Sequence, residues 1–273
     1  MSLLAQWSTI RVPVVGMLHA PPLPGSSGYR GDFEAIRNFV LQDAQSLRDG
    51  GVDGLMLENF GDTPFFPNAV PAITVAAMTA LAAAVRQHVD LPLGINMLRN
   101  DGRSALAVAA VCGADFIRVN VLCGARVTDQ GLLQGIAHDL LRERAALGCQ
   151  HIRILADVDV KHSAPLAARP IDVETRDLVH RGHADAIIVS GQATGHPTDV
   201  ATLAEVRHAA VPVPVFVGSG VTAENVAELI QSGADGLIVG SSLKHDGRIS
   251  RPIDLQRVQQ LVGSVRAAVA GCS

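Results

Sequence analysis

The sequence predicts an α/β protein built as a single-domain (β/α)8 TIM barrel. Three observations carry that prediction. Short apolar runs alternate with helical-period segments eight times, one phrase returns at about every second unit, and two late strands each end in a glycine-serine turn. The chain of 273 residues is close to the ~250 typical of such a barrel. Apolar residues make up 48% of it and aromatics only 3%. The core must therefore come from Ala, Val, Leu and Ile, which suits parallel strands covered by helices on the outside. A doubly wound sheet is the alternative, but it needs no eighth strand.

In chain order, residues 12–18 (VPVVGML) read as the first strand, ending at His19. A Pro/Gly-rich loop follows, too long for a simple turn, then a helix over 32–48 stopped by Gly50-Gly51. The second strand, 54–57, runs into Glu58-Asn59 and a second irregular loop that carries three of the seven phenylalanines. A helix over 73–88 leads to the third strand, 93–97, with Asn96 near its end and Arg99-Asn100-Asp101 beyond. Helix 104–111, strand 116–121, a long loop and helix 134–146 come next. The fifth strand, 152–158, continues into Asp159-Val160-Lys161-His162. Helix 172–181 and strand 186–189 follow, closed by Ser190-Gly191, then the loop QATGHPTD and a helix ending near 208. The last helix covers 254–269. The long loops after the first, second and fourth strands are expected to cover the barrel mouth.

Residues 214–242 hold the last two strands. Residues 214–217 are an apolar run of β type, ended by Gly218-Ser219-Gly220; Thr222 is placed to cap a helix carrying Val226, Leu229 and Ile230. Residues 235–239 form the eighth strand, ended by Gly240-Ser241-Ser242. Glycine lets backbone approach a ligand closely, and a helix start supplies unpaired N–H groups. A phosphate ester fits that cradle, at Ser219, Gly220, Gly240 and Ser241, joined by Ser190 and Gly191 from the sixth strand. The plain alternative is that these glycines only make tight turns.

The recurring phrase is GGVDGLMLEN at 50–59, GADFIRVN at 113–120, HADAIIVSG at 183–191 and GADGLIVGS at 233–241. Each copy puts an aspartate just before a strand. Net charge is −4 with a pI near 6.2, which argues against a nucleic-acid or anionic-membrane surface. Residues 1–10 read as an N-terminal tail before a barrel over 11–273; they lack the pattern of a signal peptide. No apolar run reaches the ~18 residues of a membrane span. The four cysteines show no C-x-x-C spacing, so reduced thiols and a cytoplasmic location are expected; a homo-oligomer is a separate expectation.

In a (β/α)8 barrel the reactive groups lie at the carboxyl ends of the strands. By alternation Arg118 and Asn120 share one face of the fourth strand, and Asp157, Asp159 and Lys161 one face of the fifth. All five are expected to point inward, where a charge must be paired or bound to ligand. Asp157 or Lys161 is the expected proton-transfer group, with Arg118 and Asn120 holding a substrate oxygen. An Arg118–Asp157 structural ion pair is the competing reading. Lys161 has three possible functions: holding an anion, acting as a desolvated base, or forming a Schiff base. The D-V-K at 159–161 resembles the D-x-K element of sugar-phosphate decarboxylases, although on a strand too late for that family. His19, Asn59 and Asn96 are candidate substrate contacts. Glu58 is a candidate acid or base and His162 an auxiliary base. His19, His162, Glu58 and Asp157 could together bind a divalent metal, but no H-x-H or H-E-x-x-H spacing supports one; the cofactor is left open.

VVGMLHAPPLPGS at 14–26, DGLMLENFGDTPF at 53–65, PLGINMLRND at 92–101, FIRVNVLCGARVTDQGL at 116–132, ILADVDVKHSAPL at 154–166, IIVSGQATG at 187–195 and VFVGSGVTAENV at 215–226 closely resemble the BtpA/SgcQ family. The match runs from about residue 11 to 258. The resemblance implies a barrel like those of the ribulose-phosphate-binding superfamily. It also implies two different functions, photosystem I biogenesis for one member and sugar catabolism for others.

Two expectations follow. One is an enzyme acting on a phosphorylated sugar or nucleoside-derived sugar, as a lyase, isomerase or hydrolase, with phosphate at the ends of the seventh and eighth strands. The other is a noncatalytic assembly factor that uses the barrel as a scaffold. Polar groups directed into the mouth favour the first, because a scaffold needs none there.

Overall fold

The computed structural model describes residues 2–191 and 198–271. Eight parallel strands close into a barrel, each beside its neighbours in chain order. They are β1 (Val14–His19), β2 (Gly54–Glu58), β3 (Leu93–Asn96), β4 (Phe116–Val119), β7 (Arg153–Val158), β9 (Ala186–Val189), β10 (Val215–Val217) and β11 (Gly236–Val239). Around them lie α1 (Phe33–Asp49), α2 (Ala72–His88), α3 (Gly102–Cys112), α4 (Ala137–Ala146), α5 (Ile171–His180), α6 (Val200–Ala209), α7 (Val226–Gln231) and α8 (Leu255–Gly271). The single-domain TIM barrel read from the sequence is what the chain forms.

The repeated aspartate has a structural use. Asp53, Asp115, Asp185 and Asp235 each accept, at 2.8–2.9 Å, the backbone N–H of Val14, Leu93, Ile154 and Val215 respectively. Each therefore ties the start of its own strand to the start of the strand one unit earlier. The clamps join β1 to β2, β3 to β4, β7 to β9 and β10 to β11, which is why the phrase recurs every second unit. An arginine pairs with each: Arg266, Arg86, Arg144 and Arg207 in turn. All four clamps sit at the amino-terminal end of the strands, where a barrel spends residues on stability and not on chemistry.

The barrel interior is filled by Val15, Met17, Met56, Phe116, Leu155, Ile188, Phe216 and Ile238. Two rings fit because glycine faces them. A Cβ at Gly94 would stand 2.1 Å from Phe116, and one at Gly236 would stand 2.3 Å from Phe216. Residues 2–10, within the stretch set apart in the sequence as a tail, close the floor. A 3-10 turn at Ala5–Trp7 puts Trp7 against Phe116 and Phe216, with ring centroids 5.9 and 6.1 Å away, and its indole donates to the Asp53 carbonyl at 2.8 Å.

Three local expectations change. The loop after β4 is a β-hairpin, β5 (Ala125–Thr128) with β6 (Gly131–Gln134), and β8 (Ser163–Pro165) from the loop after β7 joins it antiparallel. Helix α4 consequently starts at Ala137, later than the sequence suggested. Thr222 does not cap α7. Asn225 instead receives the Thr222 N–H and donates to the Gly220 carbonyl, each near 2.9 Å, so the helix shortens to six residues.

Candidate active site

Strand register assembles the site. His19 pairs with Glu58, Glu58 with Asn96 and Asn96 with Arg118 across four adjacent strands, one side-chain layer above the apolar filling. Counting in twos from the buried interior residues adds Asp157, Ser190, Gly218 and Gly240 on the next four strands. The top layer is thus polar from β1 to β9 and bare on β10 and β11.

Two connected lobes open above this layer. The inner lobe is narrow, about 40 Å³, and lies against Gly218 to Val221 and Gly240 to Ser242. That is room for on the order of three water-sized spheres. The outer lobe, about 330 Å³, lies under Thr63, Phe65, Leu98, Arg99, Asn120, Asp129 and His162. Glu58, Phe60, Arg118 and Lys161 line both.

Among the described residues no carbonyl accepts from the N–H of Gly220 or Ser241. Gly220 has φ +65°, a backbone conformation that favours glycine. Gly240 must lack a side chain because a Cβ there would stand 2.7 Å from His19 Cε1. Ser219 is buried and its carbonyl accepts from Thr198 at 3.2 Å. Ser190 turns its hydroxyl toward Asp157 at 3.4 Å. Gly191 is buried beside it; the rest of the loop expected there, residues 192–197, lies outside the described residues.

Arg118 grips Asp157 with two bonds, Nε at 2.9 Å and Nη2 at 2.8 Å, and Asn120 donates to the same carboxylate at 2.9 Å. The Asp157 side chain is 0% exposed. Both of its oxygens are engaged by these donors, which is the geometry of the structural ion pair that competes with the proton-transfer role expected for Asp157. Burial works against the Arg118 charge, but the Asp157 carboxylate outweighs it and the guanidinium is held more firmly protonated than usual.

Asp159 is the clear departure. β7 ends at Val158, and Asp159 takes φ +50°. Alternation stops there, and the side chain, 60% exposed, pairs outside the barrel with Arg126. His162, at φ +57°, is exposed on the outer rim. Lys161 does reach the mouth. Burial, then Arg118, lowers its pKa to about 8, against the opposing pull of Glu58 and Asp157.

Glu58 accepts from Asn96 Nδ2 at 2.5 Å and lies 3.9 Å from His19 Nε2. Burial first, then the charges of Lys244, Lys161 and Arg118, hold His19 well below the ordinary imidazole range, so it is neutral. Its ring meets Phe60 edge-on at 5.0 Å. His19 Nδ1, Asn96 Oδ1 and Asn120 Oδ1 are buried without a hydrogen-bond partner among the described residues. Buried polar atoms left without a partner are uncommon in folded proteins. Asn59 is spent differently. It binds the Leu98 N–H at 2.7 Å and Asp62 at 3.1 Å, and so fixes the loop after β3.

That loop supplies a site residue the sequence reading left unassigned. Arg99 is buried in the outer lobe and donates to the Lys161 carbonyl at 2.6 Å. Gly218, which lines the inner lobe, is a second: a Cβ there would stand 2.6 Å from Ile188 Cγ2 and 3.2 Å from Ser190 Oγ. The inward alternation on the seventh strand was the signal that could have found it. Among the described residues no group of three or more His, Cys, Asp or Glu side chains is gathered to hold a metal ion. A further cavity of about 250 Å³ lies between the hairpin and α5. Its charges are paired among themselves, Arg126 with Asp159 and Glu174, and Arg169 with Asp177.

Fold and mouth together define a (β/α)8 barrel whose polar residues collect at the carboxyl end, as in barrel enzymes. Solved structures agree on the fold. An archaeal fructose 1,6-bisphosphate aldolase superposes with TM-score 0.59 at 14% identity, covering 97% of this chain and 100% of that one. The thiamine phosphate pyrophosphorylase of Pyrococcus furiosus gives 0.58 at 13%, covering 95% and 97%. Within that class the chain belongs to the BtpA family, whose model matches residues 10–267. The photosystem I biogenesis protein BtpA of Synechocystis is 46% identical over 250 residues, 92% of this chain and 86% of that protein. An uncharacterized protein of Thermococcus kodakarensis is 48% identical over 254 residues, 92% of this chain and 94% of that protein. Among the described residues no helix is long and apolar enough to cross a membrane.

Proposed function

We propose that this protein is an enzyme acting on a phosphorylated sugar or nucleoside-derived sugar, a lyase, isomerase or hydrolase. The phosphoryl group sits in the inner lobe on the turns after β10 and β11. The carrying observation is the pairing of that narrow lobe with four shared residues, Glu58, Phe60, Arg118 and Lys161, at the entrance to a roomier one. A substrate anchored by its phosphate would place its reactive carbons beside Lys161 and Glu58. Both could move a proton there. Arg118 supplies positive charge to the same point, held in place by Asp157. Asn96 and Asn120 offer carbonyl oxygens to sugar hydroxyls.

Phosphorylated compounds appear in the names of both solved barrels above, in line with this reading. The name of the Synechocystis relative speaks of photosystem I biogenesis; a noncatalytic scaffold would have no use for buried polar atoms left without a partner, each of which costs about 1–3 kcal/mol. The three described cysteines are free, and the proposal places the protein in the cytoplasm. The surface remains open to self-association as a homo-oligomer.

A thermal-shift screen tests the proposal. Phosphorylated sugars should raise the melting temperature, and their unphosphorylated counterparts should not. Gly220→Asp puts a carboxylate at the phosphate position and should abolish the shift while leaving the circular dichroism spectrum unchanged. Equal shifts with and without phosphate would refute it.

A further inference from the structure

The chain carries twenty arginines and two lysines, Lys161 and Lys244. Arginine supplies its surface charge and most of its ion pairs. Lysine is reserved for two enclosed positions. Lys244 is fully buried, pairs with Asp43 and stands 5.1 Å over the Phe39 ring. Lys161 has no such partner. Among the described residues no carboxylate forms an ion pair with its amine within 4.0 Å, and its backbone carbonyl accepts from Arg99.

We propose that Lys161 Nζ forms an imine with the carbonyl carbon of an open-chain aldose or ketose phosphate bound in the mouth. The inference rests on the phosphate placement above and names the reactive form of the substrate. Holding an anion would not require lysine, since arginine does that with better geometry and is the residue this chain otherwise uses. What lysine adds is access to a neutral, nucleophilic amine. The burial and neighbouring arginine charge that bring its pKa to about 8 leave a usable neutral fraction near physiological pH. Its backbone is pinned by Arg99 while its amine has no ion-pair partner among the described residues, at the junction of the narrow and the roomy lobes. A carbonyl carbon next to a phosphorylated end would lie at that junction.

The chemistry balances without a redox partner. The amine lone pair forms the C–N bond as the carbonyl π pair moves to oxygen. Protons pass from nitrogen to that oxygen, with Glu58 placed to relay them, and it leaves as water when the C=N bond forms. Both amine hydrogens depart with the carbonyl oxygen.

Trapping tests this directly. The full-length protein is incubated separately with dihydroxyacetone phosphate, glyceraldehyde 3-phosphate and ribose 5-phosphate, each with sodium borohydride, and analysed by intact mass and peptide mapping. At least one probe should leave a single reduced adduct on the Lys161 peptide. Lys161→Arg, folded by circular dichroism, should stay unlabelled, and Lys244 should be unmodified in both. Inorganic phosphate should suppress the adduct. No adduct from any probe, or labelling that persists in Lys161→Arg, overturns the imine. Calorimetric titration with inorganic phosphate separates the two readings. Phosphate binding without an adduct defeats the imine alone. An adduct that phosphate neither competes with nor binds alongside keeps the imine and defeats the phosphate placement.

Discussion

Arg118 on β4 and Asp157 on β7 are joined by two parallel hydrogen bonds of 2.9 and 2.8 Å at the top of the barrel, both side chains almost wholly buried. The pair orders the mouth. It fixes one guanidinium face beside Lys161 and engages both oxygens of Asp157. The competing structural reading of the pair fits this geometry.

Asp157→Ala is expected to lower stability by about 3–5 kcal/mol, since it leaves a buried guanidinium without its partner. Urea denaturation measures this. A loss under about 1 kcal/mol would mean that Arg118 finds another partner or solvent, and that the pair does not order the site.

Lys161 should leave a signature in stability against pH. Its folded-state pKa of about 8 lies below the unfolded value near 10.5. Below pH 8 the amine is protonated in both states and the folded protein bears the full cost of a half-buried ammonium. Between about 8 and 10.5 the unfolded chain binds more protons, so this contribution to stability rises with pH. Lys161→Met removes the group. The variant should exceed wild type in stability at pH 7, and the gap should narrow toward pH 10. A gap that stays constant over that range means that the lysine is not perturbed.

The sequence exposed the barrel through features with a fixed local meaning. The aspartate before every second strand proved to be a clamp on its neighbour, and alternation correctly sent Arg118 and Asp157 inward. Alternation failed at Asp159 because it holds only while the strand lasts, and a left-handed backbone at that residue turns the side chain outward. Arg99 was out of reach for a different reason: its place depends on a loop held by Asn59, a contact 39 residues apart in the chain. The small sheet joins strands from two separate loops, β5 and β8, and such long-range pairing has no period to read. Trp7 looked like part of a tail because nothing near it in sequence predicts the cavity it fills.

The central claim is that the turns after β10 and β11 hold the phosphoryl group of a substrate. A crystal soaked with inorganic phosphate measures it most directly. The account predicts the anion in the inner lobe, within hydrogen-bond distance of the Gly220 and Ser241 N–H groups and facing Lys161, and its loss in Gly220→Asp crystals. Phosphate bound only at other surfaces, with the inner lobe free of it at millimolar concentration, would contradict the account.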